Sequence, residues 1–204
     1  MDIFGEHWTN HAEKIRVACE KFVKDDDYLL LAGDLSWALK KNQALPDLEW
    51  LSQLPGHKIV CKGNHDYWWD SDKRLEFTGL HDTPFAAPDR KLGVAATRGW
   101  IPPQMDHAPD QKLRDSKIMA REVLRLRRRL EAIADCQVKI AMVHYPPALE
   151  FLPLMREFNV QEIVYGHVHI NGTEQILQPT WHGIKATCTA CDRINFTPKL
   201  LFSL

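Results

Sequence analysis

No apolar run in this chain of 204 residues comes near the ~20 residues that a helix needs to cross a bilayer, so a membrane-spanning protein is not expected. Neither sign of charge is in excess. A formal net charge of -1 supplies no overall attraction to nucleic acid or to acidic lipid surfaces. Cysteine is scarce, and five residues, an odd number, do not make a disulfide framework. Cys188 and Cys191 form a lone CxxC with no second pair, whereas a structural zinc site needs about four ligands. The pair reads either as a zinc or redox site or, more simply, as two small residues beside a strand in a reducing compartment. The opening stretch MDIFGEHW carries charges and lacks the apolar centre of a secretory signal, which makes the cytoplasm the expected location. No internal repeat or low-complexity tract is visible.

What is present is an ordinary globular composition. Apolar residues at 45% and charged residues at 26% suit a chain that folds around a core, and the length suits a single domain over residues 1–204. Helical and strand periodicities alternate. Asn10 to Lys24 places Ile15, Cys19 and Phe22 on one helical face, and Asn10 with Glu13 suits a capping box. Ala44 to Leu54 reads as a second helix with Leu45, Leu48 and Leu51 inward, closed by Pro55 and Gly56. A short helix is expected at Lys73 to Phe77 and a strand at Leu92 to Ala96. Proline-rich Trp100 to Pro109 reads as a loop.

Leu113 to Ala134 is the longest expected helix, with Met119, Val123, Leu126, Leu130 and Ile133 as its core stripe. Arg121, Arg125, Arg127, Arg128 and Arg129 cover the rest. Arginine forks match phosphates, but with no interleaved aromatic residues a solvated face is the simpler reading. A helix is expected from Ala148 to Phe158, and the tail from Trp181 to Leu204 suggests two strands with a turn between Asp192 and Pro198. The alternation of strands and helices defines an α/β class.

Four apolar runs end in a glycine or valine followed at once by a metal-ligating or proton-carrying side chain: YLLLAG before Asp34, IVCKG before Asn64, His65 and Asp66, VKIAMV before His144, and EIVYG before His167 and His169. In open α/β sheets ligands bind beyond the carboxyl ends of the strands. If these strands are neighbours, Asp34, Asn64, His144, His167 and His169 meet at one edge, an oxygen and imidazole set that suits manganese, iron or zinc. His167 and His169 are two apart, so in extended backbone both rings leave on one face. A lone histidine is more often a hydrogen-bonded surface residue than a ligand. Unrelated histidines, however, have no reason to follow separate apolar strands in this way.

The motifs GDLSW, GNHDYWW, VHYPP and GHVH, in this order from about Ala32 to His169, resemble those of the calcineurin-like metallophosphoesterases. The GDxxW and GNHDYWW forms are similar to a branch of small bacterial phosphohydrolases. The resemblance implies a fold of two packed mixed β-sheets flanked by helices, with two divalent metal ions at the strand ends. It also implies hydrolysis of a phosphoric ester, mono- or diester, by a metal-bridging hydroxide. Carried over by motif, Asp34 would bridge both ions, Asn64, His144 and His167 would complete one, and His169 would serve the other. His65 would face the substrate and protonate the leaving oxygen, with Asp66 orienting its ring. Nucleic acid enters only as a source of nucleotide substrates, and the motifs leave the oligomeric state open.

One motif of that family is missing. Its first strand ends in Asp-x-His, which supplies two ligands to the ion shared with His169, and this sequence contains no Asp-x-His. Three readings remain: a start at an internal methionine, a one-metal or non-catalytic relative that binds metal or phosphate, or a substitute ligand such as the nearby His7 or His11. Magnitudes favour the first. A lost interior strand forfeits about 1.5–3 kcal/mol for each buried apolar side chain from a total stability of roughly 5–15 kcal/mol. The natural protein is therefore expected to begin about ten to twenty residues upstream, room for one strand and a loop.

Overall fold

Strict alternation along the strands decides how the layers stack. In the computed structural model, which describes residues 5–70, 73–101, 109–170 and 177–204, two sheets lie face to face. The smaller sheet is parallel throughout, with the order β1 (Tyr28–Leu31), β2 (His57–Val60), β3 (Leu80–Asp82). The larger contains β4 (Phe85–Ala86), β5 (Leu92–Thr97), β6 (Val138–Val143), β7 (Glu162–Tyr165), β8 (Thr180–Trp181) and β9 (Ile184–Cys188) in the order β4-β5-β6-β7-β9-β8. Strands β5, β6, β7 and β9 run parallel, and the short antiparallel β4 and β8 close the edges.

Alternate residues of the same strands serve different cores. Leu30, Ile59, Val94, Ala96, Ile140, Met142 and Val164 fill the space between the sheets. Leu29, Leu31 and Val60 point outward to a second core beneath α1 (His11–Phe22) and α2 (Lys41–Ser52). Ala95, Ala141, Val143, Ile163 and Tyr165 face a third, covered by α3 (Pro109–Glu131) and α4 (Leu152–Glu157). This is a mixed α/β architecture of two packed sheets with flanking helices. Among the described residues no helix is long and apolar enough to cross a membrane.

Several local expectations change. Helix α1 begins at His11, with Asn10 in the left-handed region and no side-chain cap, and Glu13 pairs with Arg16 instead. Phe22 stays exposed. Helix α2 starts three residues before Ala44, at Lys41, where the Gln43 side chain accepts from the Lys40 N–H, and its Leu45 is exposed. No helix forms at Lys73 to Phe77. Leu75 is drawn into the core under α2, its N–H donates to Asp82, and Phe77 bridges to Leu80. The tail forms β9 but no strand after it. Residues 191–196 are turns, with Asn195 and Phe196 in the left-handed region. Residues 102–108 of the expected loop lie outside the described residues.

The arginine face of α3 is only partly solvated. Arg127 pairs with Glu157 at the surface, as a solvated face requires. Arg129 instead turns inward, donating to the Thr83 hydroxyl and the Ala96 carbonyl. Arg125 pairs with buried Glu122, whose other oxygen accepts from Thr97. These two arginines seam the helix to the strand ends of the larger sheet.

Candidate metal centre

The carboxyl ends of β1, β2, β6 and β7 converge, and glycine permits it. A Cβ on Gly33 would lie 2.7 Å from both the Gly63 backbone and His144 Nδ1, and one on Gly63 would lie 2.0 Å from the Asp34 carboxylate. The two loops therefore pass backbone to backbone beneath the site. Asp34 and His167 each hold a left-handed conformation, at φ 57° and 66°, which is uncommon for residues with a Cβ and clusters at functional sites.

Four of the expected residues meet. Asn64 Oδ1 lies 2.7 Å from His144 Nε2 and 2.9 Å from His167 Nδ1, and Asp34 Oδ2 lies 3.4 Å from His144 Nε2. Ligand atoms of Asp34, His144 and His167 all fall within 4.8 Å of one another. The hydrogen-bond logic is that of a cation site. His144 Nδ1 lies 2.8 Å from the Ala32 carbonyl, so its proton belongs there and Nε2 presents a lone pair to the Asn64 oxygen. Burial holds His144 below the usual imidazole range despite the pull of Asp34, and burial with the neighbouring His144 pushes His167 down to about 4. The His144 Nε2 lone pair and Asn64 Oδ1 thus face one another as acceptors, a geometry that a divalent ion beside them would satisfy. The residues present fit the metal that the motifs imply.

His169 stands apart from that cluster. Its Nδ1 lies 2.9 Å from Asp192 Oδ1, which leaves Nε2 as its free ring nitrogen. Its charge is nevertheless felt at His144 and His167. Sequence reasoning missed Asp192, which comes from the turn after β9 and is buried. Its second oxygen accepts from the Ile170 N–H, while Arg193 donates to the carbonyls of Val168 and His169. Together the two grip the GHVH loop. A carboxylate behind a ligand histidine fixes its tautomer. Asp192→Asn is accordingly expected to weaken metal binding about 10–100-fold by calorimetric titration while leaving the circular dichroism spectrum unchanged. Unaltered affinity would show that His169 contributes no ligand. His7 and His11 flank Trp8, whose ring packs 5.3 Å from that of His169, and His11 Nδ1 lies 3.1 Å from the Trp8 carbonyl. Neither joins the Asp34 cluster among the described residues.

His65 lies beside the cluster. Its backbone N–H donates to Asp34 Oδ1 at 2.9 Å, and its ring stacks on Trp37, centroids 3.9 Å apart and 14° from parallel. Trp37, from the GDLSW motif, is the second neighbour of the site that the sequence reading passed over. Fully buried Asp66 gives its oxygens to four N–H groups: the backbones of Asp34, Gly63 and Ser36 and the Trp68 indole. Among the described residues no hydrogen bond joins it to the His65 ring. Burial pushes its carboxyl up to about 6, against the pull of those backbone donors.

Two packed sheets with an oxygen and imidazole cluster at their strand ends define a metal-dependent α/β protein. The family model for calcineurin-like phosphoesterase matches residues 5–171, and the chain belongs to that family, whose members are metal-dependent phosphoester hydrolases. No curated protein matches the sequence. Among solved structures it is similar to a protein of unknown function, AQ665 from Aquifex aeolicus, at 17% identity and a TM-score of 0.45, covering 92% of this chain and 80% of that one.

Proposed function

We propose that this protein is a hydrolase of phosphoric esters, with Asp34, Asn64, His144 and His167 holding one divalent ion and Asp34 and His169 contributing to a second; without the Asp-x-His motif the 204-residue chain is expected to hold one ion firmly and to turn over poorly. Manganese is the expected ion, with iron or zinc as alternatives. The observation that supports this reading is the convergence of Asp34, Asn64, His144 and His167 at the strand ends, in a chain that belongs to a phosphoesterase family. When bound, the ions would activate water and neutralise charge on the phosphoryl group.

The chain's own residues supply the rest. His65 is tied to Asp34 through its backbone and held by the Trp37 ring, so its imidazole is fixed beside the ligands without being one of them. It is placed to hand a proton to the departing oxygen. Asp66 acts on it through the loop, by fixing the backbone on both sides of the contact. A protein that merely stored metal or phosphate would have no use for such a fixed proton carrier.

Turnover of p-nitrophenyl phosphate by the manganese-loaded chain tests the reading, together with metal content. His65→Ala is expected to lower kcat about 100-fold and to keep its manganese. A His65→Ala variant stripped of metal, or a wild-type chain that binds no manganese, would overturn these assignments.

A further inference from the structure

Two large aromatic side chains stand in water beside His65. Trp37 is 44% exposed and Tyr67 60%, although the residues around each are fixed. Ser36 is buried, its N–H on Asp66 and its hydroxyl 2.5 Å from Asp47 of α2, and Ala38 packs into the core under that helix. Asp66, Trp68 and Trp69 are buried in turn, and the Tyr67 N–H donates to the His65 carbonyl at 2.8 Å. The two loops are also stitched to each other, since the Trp68 indole donates to the Ser36 carbonyl at 3.2 Å. Trp37 and Tyr67 are thus held outward by anchored neighbours rather than left outward by a slack loop.

Both rings meet the same imidazole. Trp37 lies along the face of His65, and Tyr67 stands 6.1 Å from it at 89° to its plane. His65 is itself one hydrogen bond from Asp34. One ring parallel to the imidazole and one perpendicular to it make an aromatic corner around the group placed to protonate the leaving oxygen. The fold does not need these two rings for its core, because Trp68 and Trp69 of the same motif stack together there under α2. An anionic phosphoryl group gains little from an indole or phenol face. A flat ring gains offset or edge-to-face contact from each, and rigid aromatic side chains give that contact with few rotamers left to freeze.

We propose that Trp37 and Tyr67 form the leaving-group subsite, and that the substrate is a phosphoric ester whose alcohol part carries an aromatic ring close to the ester oxygen. The proposal rests on the hydrolase reading above and deepens it by naming a substrate class. Its basis is contact: the proton carrier and the two exposed rings are one packed group, so an alcohol that His65 protonates leaves past them.

Calorimetry of the manganese-loaded chain with methylphosphonate, cyclohexylphosphonate and phenylphosphonate, each as its dianion, tests it. These probes carry the organic group on a bond that water does not cleave. Phenylphosphonate is expected to bind about tenfold more tightly than methylphosphonate, the value of one good aromatic contact, with cyclohexylphosphonate between them. Tyr67→Ala and Trp37→Leu should each cut that preference to about threefold and leave the affinity for methylphosphonate unchanged. Tyr67→Phe should keep it, since the ring and not the hydroxyl is at work. Phe22→Ala, which removes an exposed ring from α1, should leave it untouched. A preference that Tyr67→Ala and Trp37→Leu both retain, or an equal gain for cyclohexylphosphonate, overturns the aromatic subsite. Manganese content of the same samples separates the two ideas. A metal-replete chain without the preference sinks the subsite alone; a ring preference that survives removal of manganese with EDTA sinks the metal-dependent hydrolase reading and keeps the subsite; a metal-replete chain that binds none of the three probes overturns both.

Discussion

Replacing Gly63 with alanine is expected to destabilise the chain by about 3 kcal/mol or more, beyond the usual range for overpacking, and to abolish stoichiometric metal binding. The reason is contact, not backbone freedom. Gly63 does not occupy the left-handed region, so an alanine there is conformationally ordinary. Its Cβ, however, would lie 2.0 Å from Asp34 Oδ1, 2.2 Å from the Asp34 backbone nitrogen and 2.8 Å from its Cγ. None of these is the free end of a flexible side chain. The Asp34 nitrogen is tied to Asp66 and its carboxylate to the His65 N–H, so relief requires the two loops to separate and carries the proposed ligand Asp34 away with them. Gly183→Ala is the informative control. Gly183 has φ 85° with nothing within 4 Å of a Cβ, and its variant should lose about 1 kcal/mol from backbone strain alone with metal content intact. Thermal unfolding and elemental analysis of the two variants check the contrast. Equal losses would mean that the close approach of the loops is not what Gly63 provides.

How much of this was legible before folding depends on how local each feature is. An apolar run and the candidate ligand after it are contiguous, so Asp34, Asn64, His144 and His167 were readable as strand-end residues, and the parallel β1, β2, β6 and β7 do bring them to one edge. Features assembled from distant segments were not. Asp192 reaches His169 across 23 residues, and nothing in its own neighbourhood, a short turn after a strand, marks it. Trp37 was printed within a motif, but its stacking on His65 depends on the loop that β1 and β2 position together. The failed helix at Lys73 to Phe77 illustrates a second limit. Its propensity was weak, and the burial of Leu75, whose N–H donates to the buried carboxylate of Asp82, holds the segment irregular instead. Of the α3 arginines, Arg125 and Arg129 were misjudged in the same way, because periodicity locates the apolar stripe but not the polar groups at its margin. Thr83, Thr97 and the Ala96 carbonyl make inward positions acceptable to Arg125 and Arg129.

Asp66→Ala is expected to destabilise the protein by about 3–5 kcal/mol, because each buried N–H that loses its acceptor costs about 1–3 kcal/mol. Three backbone donors, those of Asp34, Gly63 and Ser36, are held at 2.9, 2.7 and 3.0 Å. The Trp68 indole suffers less, since it also reaches the Ser36 carbonyl at 3.2 Å. The fall in Tm follows from size: a chain of this length loses about 2–4 °C per kcal/mol, so a decrease of roughly 10 °C is expected. Asp66→Asn should be intermediate, since its oxygen can keep one pair of donors while its amide faces the other. The comparison with His65→Ala is decisive for the division of labour in the GNHD motif. If Asp66 served only to orient the His65 ring, the two alanine variants would share one Tm and one loss of turnover. If it staples the loops that carry Asp34 and Asn64, as its four donors indicate, only Asp66→Ala should lower Tm and metal content together. Both quantities are measurable on the same preparations, and a stable, metal-replete Asp66→Ala protein would leave His65 as the sole business of that carboxylate.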